Sequence, residues 1–279
     1  MTTLRPAPPA PTLGAHTFVS MLARDVRVLR RELFTFLSRT LMQPLFFVFV
    51  FAYVMPRIGG GDGAGFGRVA GVSFATVLVP GMLSTTMFIS GLMAVTVPLM
   101  MELSYNNEIE DRLLAPVPVW ALGLAKITSG AVQALVGAIV VFPVVYFVHD
   151  SAEPPQIDLG NWPLLLVVVI SSSVLSAGLG LLMGTMLDIR KSNVLFSLVT
   201  VPLTMLGCVY YPWAALQNTQ WLQIAVLLNP LVYSSEGLRA SLTSSMPHMP
   251  TWAFLLVLIG GTAGVVWLAL RSFTRKVQH

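Results

Sequence analysis

Six apolar stretches, each long enough to cross a bilayer, run through this 279-residue chain, and none holds an Asp, Glu, Lys or Arg at its middle. A spanning helix needs about 20 apolar residues. That length places the crossings at 40 to 56, 72 to 98, 119 to 148, 163 to 187, 194 to 212 and 251 to 271. The expected fold is therefore an all-α membrane protein of six transmembrane helices. A charge at the bilayer centre is costly and is kept mainly for ion or proton handling. Spans without one hold no proton relay, so the energy for whatever the chain drives is expected from a partner.

Composition excludes an ordinary soluble domain, because 55% of the residues are hydrophobic and only 10% charged, against about a quarter charged in soluble proteins. The lone cysteine, Cys208, excludes an internal disulfide framework. No cleavable signal peptide is visible, so the first span is expected to be an uncleaved anchor. Lys and Arg gather before the first span, between the second and third, at Arg190 and Lys191, and after the last; Arg57, Arg68 and Arg239 fall on the other side. By the positive-inside bias both termini are cytoplasmic. Tyr146, Trp162, Tyr210, Tyr211, Trp213, Trp221, Tyr233 and Trp252 then fall near the outer surface, as an aromatic belt does.

Pro44, Pro80, Pro98, Pro143 and Pro202 are expected kinks within the spans. From Phe18 to Arg39, apolar residues recur at spacings of three or four with Arg24, Arg27 and Arg31 opposite, which predicts an interfacial amphipathic helix. An extension of the first span is the alternative. Residues 1–39 are accordingly read as tail and interfacial helix, and 40–279 as the membrane domain. Ser172, Ser176, Gly180 and Gly184 put small side chains on one helical face, and Gly260 with Gly264 repeats the pattern, both suited to close packing within one bundle.

Two segments are more than loops. Residues 102–118 follow the second span with helix-forming residues as far as Ala115, then Pro116. Ile109 and Leu113 give this piece an apolar edge, and Glu108, Glu110, Asp111 and Arg112 a charged one. The chemistry fits a short docking helix and a solvated loop equally. Before the last span, residues 213–245 hold two apolar runs too short to cross separately, which predicts an extracellular re-entrant helical hairpin. Asn229 and Pro230 suit the N-cap and first position of its returning helix. Glu236 and Arg239, three apart on that helix, are placed to pair, and partial burial is expected.

The interfacial helix, the six spans, the segment Asn-Asn-Glu-Ile-Glu-Asp-Arg-Leu-Leu-Ala-Pro-Val-Pro from Asn106 to Pro118 and the Tyr-Pro-Trp…Leu-Asn-Pro-Leu-Val-Tyr…Gly-Leu-Arg hairpin together resemble the type-2 ABC exporter permease family. The resemblance implies that residues 102–118 contain the coupling helix that docks into an ATPase subunit, with Glu108, Glu110, Asp111, Arg112 and Leu114 as the candidate contacts. It also implies a gating role for the hairpin residues Asn229, Pro230, Glu236 and Arg239. The chain has no G-x-x-x-x-G-K-[ST] phosphate loop, so ATP and Mg are expected on a separate ATP-binding-cassette chain. Similar permeases work in pairs, as homodimers or heterodimers, in a prokaryotic inner (plasma) membrane. No cofactor of its own and no nucleic-acid partner is expected.

Rival classes lack their chemistry. An intramembrane enzyme needs a nucleophile with an oriented base, yet His16, His149, His248 and His279 all lie outside the spans, and no span holds a metal-ligand cluster. An ion-coupled transporter needs an ionisable residue facing the bundle interior. Thr85, Thr86, Ser90, Gln133, Ser197, Thr200 and Thr204 are the candidates for a substrate route, with helix packing as their other role. Spans without charges point to a lipophilic drug or antibiotic. A glycan, lipo-oligosaccharide or lipid-linked substrate is the alternative, since the outer aromatic residues would stack on sugars as well.

Overall fold

A computed structural model describes residues 27, 31, 33–54, 68–69, 72–104, 118–147, 156–158, 160–187, 192–243 and 246–278. Helix α1 spans Leu33–Val48 and continues as a π-helical turn over Phe49–Val54. Two short strands, β1 (Arg68–Val69) and β2 (Val72–Ser73), pair antiparallel, with Arg68 opposite Ser73. The rest is helical: α2 (Phe74–Ser104), α3 (Val119–Phe147), α4 (Trp162–Met186), α5 (Ser192–Met205), α6 (Gln220–Ala225), α7 (Pro230–Leu242) and α8 (Thr251–Gln278). Short 3-10 turns at Trp213–Asn218 and Val226–Leu228 flank α6.

Four of these helices are long and apolar enough to cross a membrane: Thr76–Leu103, Val119–Phe147, Trp162–Met186 and Thr251–Val277. Helices α3 and α4 keep the bounds expected for the third and fourth spans to within a residue. Helix α2 runs on to Ser104, past the expected end at 98 and into the segment expected to dock. All five expected kink prolines lie inside helices.

Two expected boundaries need correction. Helix α1 passes through 39–40 without a break, so the described part of the expected interfacial helix is continuous with the first span. Residues 18–26, 28–30 and 32 lie outside the described residues. The fifth expected span does not run to 212; α5 stops at Met205, and at about 21 Å it is shorter than the roughly 30 Å hydrocarbon core. The chain bends after α5 because Cys208 takes a left-handed conformation, with φ 52°, which no helix continues.

Helix α2 is the centre of the bundle. Residues 76–88 are buried without interruption, and a helix apolar on all sides belongs inside a protein. The small face of α4 makes that packing possible. A Cβ on Gly91 would overlap Ser176, and one on Gly180 would lie 2.6 Å from the Leu92 carbonyl oxygen, so backbones meet where side chains are missing. Thr96 uses the closeness, donating to its own Leu92 carbonyl at 2.8 Å and across to the Gly180 carbonyl at 3.0 Å. Gly260 and Gly264 do not repeat this on α8 among the described residues, none of which comes within 4 Å of a Cβ on either. Their face lies open beside exposed Leu256, Val257 and Trp267.

Candidate functional site

The end of the bundle where α4 and α8 begin is organised around α7, the returning arm of the expected hairpin. Its start follows local chemistry. Asn229 is extended, its Oδ1 accepts from the Leu231 N–H at 3.0 Å, and Pro230 takes the first helical position, where no N–H is needed. The same side chain also reaches outward, since Asn229 Nδ2 donates to the Leu203 carbonyl at 2.7 Å and ties α7 to α5. The 13 residues of α7 make about 20 Å, too short to span.

Residues Ser234 to Leu242 of α7 are all buried, although Ser234, Ser235, Glu236, Arg239 and Ser241 are polar. Burial of Glu236 and Arg239 is complete rather than partial: both side chains are 0% exposed. They pair through Arg239 Nη1 and Glu236 Oε1. Two ions taken out of water remain tolerable only if their other hydrogen-bonding positions are also met. Glu236 Oε1 accepts from the Trp213 N–H at 2.9 Å, and Oε2 from the Met249 N–H at 2.9 Å. Arg239 Nη2 donates to the Cys208 carbonyl at 3.0 Å, and Ser235 Oγ to the Gly207 carbonyl at 2.7 Å. Arg239 Nε has no partner among the described residues.

The pair thus holds three backbone segments: the bend after α5, the start of the turn at Trp213, and the approach to α8. The bend lies directly on α2, for a Cβ on Gly81 would overlap the Val209 carbonyl. Gly237 lets α7 sit equally close to α4, where an added Cβ would lie 2.9 Å from Val168. Sequence reading found Glu236, Arg239, Asn229 and Pro230. It missed the partners at Cys208, Trp213 and Met249, which act through backbone groups that any residue carries.

Of the aromatic residues expected at the outer surface, Trp162, Trp221 and Trp252 are exposed, whereas three others are engaged within the chain. Tyr210 stacks on Phe47 with centroids 5.6 Å apart, Tyr211 donates to the Met205 carbonyl at 3.4 Å, and Trp213 Nε1 donates to the Gln223 carbonyl at 3.3 Å.

The candidate route hydroxyls fall into two groups. Thr86 and Ser90 meet α3 at Gly137, where an added Cβ would lie 3.5 Å and 3.1 Å from them, and Gln133 stands one turn away on α3. Thr85 is buried and donates back to the Gly81 carbonyl at 2.9 Å. Ser197, Thr200 and Thr204 sit on α5; Thr204 is buried and donates to the Thr200 carbonyl at 2.9 Å. Helix α5 exposes Leu198, Val201 and Met205.

At the opposite end of the bundle, Lys126 on α3 pairs with Glu102 on α2 at 2.6 Å, with side chains 16% and 14% exposed. Glu102 opens the expected docking segment, and the signal for this pair was a lysine set inside an apolar run. Glu108, Glu110, Asp111, Arg112 and Leu114 lie outside the described residues. The described residues hold no group of three His, Cys, Asp or Glu fit for a metal.

Residues 16–243 match the family described as ABC-2 type transporter. The chain is also similar to the inner membrane transport permease YadH of Escherichia coli K12, of Escherichia coli O157:H7 and of Shigella flexneri. In each case it is 26% identical over 209 residues, covering 74% of this chain and 78% of the relative. A central helix sealed by small residues, long apolar helices around it and a family match over most of its length together make this chain a member of the ABC-2 type transporter family, a family of membrane-embedded transport permeases.

Proposed function

We propose that this chain is the membrane subunit of an ATP-driven exporter in an inner membrane, working with a separate ATP-binding-cassette ATPase and a second permease subunit, identical or not. The match to the transporter family over residues 16–243 carries the reading. Six crossings with both termini cytoplasmic complete the topology. Helix α1 with its π-helical continuation supplies the first crossing, and α5 with the bend that follows supplies the fifth. The segment from Glu102 to Pro118 docks on the ATPase, with Glu108, Glu110, Asp111, Arg112 and Leu114 at the contact. The Lys126–Glu102 pair supports this by fixing where that segment leaves the bundle.

The cargo is a lipophilic drug or antibiotic. What supports this is the character of the charges at membrane depth: Glu236 and Arg239 neutralise one another, and the described helices at that end hold no other charged side chain to bind an ionic solute. The α7 hairpin is a gate whose rigid core is that pair, and Thr85, Thr86, Ser90, Gln133, Ser197, Thr200 and Thr204 are the polar groups along the route. The test is transport and ATPase stimulation by permease and ATPase purified together, across hydrophobic drugs and lipid-linked glycans. Stimulation by drugs alone is the expected result, and stimulation by glycans alone overturns the cargo assignment.

A further inference from the structure

We propose that the notch where α4 and α8 end together binds the phosphate of an anionic lipid headgroup. Thr185 on α4 and Ser272, Arg275 and Lys276 on α8 line it, around a volume of about 550 Å³. Both helices are long and apolar enough to cross a membrane, so their common end lies at a membrane surface. The depth is marked independently. Trp267 is exposed and Arg271 stacks over its ring at 5.2 Å, an arrangement suited to the boundary between acyl chains and headgroups, and Arg275 stands one turn further out.

The chemistry of the lining suits a phosphate. Two cations face the notch, and none of the described residues lining it is acidic. The carbonyl ends of two helices oppose an anion with about half a charge each, which two full cations exceed. Buried Thr185 donates to the Leu182 carbonyl at 2.8 Å, so its one proton is used. Ser272 Oγ, 3.1 Å from Thr185 Oγ1, then holds the proton that can rotate from Thr185 to a phosphate oxygen. Basic pockets between transmembrane helices are suited to lipid phosphates by this combination of charge and depth.

The test is native mass spectrometry of the chain taken from nanodiscs of phosphatidylglycerol or phosphatidylcholine, with and without inorganic phosphate. Wild type is expected to retain one phosphatidylglycerol per chain in preference to phosphatidylcholine. Arg275→Gln with Lys276→Gln should lower that retention by about tenfold or more. Ser272→Ala, which leaves the charge unchanged, should lower it severalfold, and Arg27→Gln with Arg31→Gln, a charge-matched change at exposed positions, should leave it in place. Equal retention in wild type and the Arg275/Lys276 variant, or equal losses in both charge variants, overturns the site. Displacement of the lipid by millimolar inorganic phosphate keeps the phosphate chemistry but overturns the lipid as its source.

Discussion

The guanidinium of Arg239 is sealed against the carboxylate of Glu236, and neither side chain reaches solvent. Removing one member of such a pair strands the other charge, at a cost of roughly 3–5 kcal/mol. Arg239→Ala is therefore expected to lower thermal stability sharply and to reduce export. Glu236→Ala with Arg239→Ala should recover only part, because the Trp213 and Met249 N–H groups remain without their acceptor. Equal, small effects of the single and double changes would show that the pair contributes nothing to the hairpin.

Asn229 serves two helices, and two substitutions separate its roles. Asn229→Asp keeps the cap on Leu231 but loses the donor to Leu203, whereas Asn229→Ala loses both. A lost cap costs about 1 kcal/mol. Thermal unfolding should rank wild type above both variants, Asn229→Asp because its acceptor-only carboxylate faces the Leu203 carbonyl and Asn229→Ala because it loses the cap. If Asp and wild type unfold together, the bond to α5 contributes nothing.

Gly81 and Gly260 are expected to behave oppositely. Gly81→Ala drives a Cβ into the Val209 carbonyl and should push the bend off α2, with loss of folded protein measured by size-exclusion recovery. Gly260→Ala meets none of the described residues and should be neutral, or gain up to about 1 kcal/mol from helix propensity. A strongly destabilising Gly260→Ala would reveal a partner on that face.

Topology is read by single cysteines. Cys208→Gly gives a suitable background, since glycine accepts the left-handed φ of 52° without strain. Cysteines at Gly63 and Asp158 should label from outside the cell, and those at Asn107 and Gln278 should not. Labelling at Asn107 from outside removes the six-crossing arrangement.

The docking segment should matter for coupling more than for folding. Glu110→Lys with Asp111→Lys should leave the chain inserted while weakening ATPase co-purification and substrate-stimulated hydrolysis. Unchanged co-purification and coupling would return these residues to a solvated loop.

The sequence alone determined what the bilayer, as solvent, demands of each segment by itself. The bounds of α3 and α4, the kink prolines within helices and the Asn229-Pro230 start of α7 all depend on hydropathy and bonding within a few residues of chain. Only the tertiary structure decided that α7 is interior. The sequence placed Glu236 and Arg239 as a partly buried pair, and their complete burial rests on backbone partners at Cys208, Trp213 and Met249, up to 31 residues away. The early end of α5 has the same origin, since the chain must turn at Gly207 and Cys208 to lie against Gly81. The face of Gly260 and Gly264 makes the point in reverse: the same spacing that seals α4 onto α2 meets none of the described residues on α8, because a small-residue stripe permits a close approach and a neighbouring backbone must supply it.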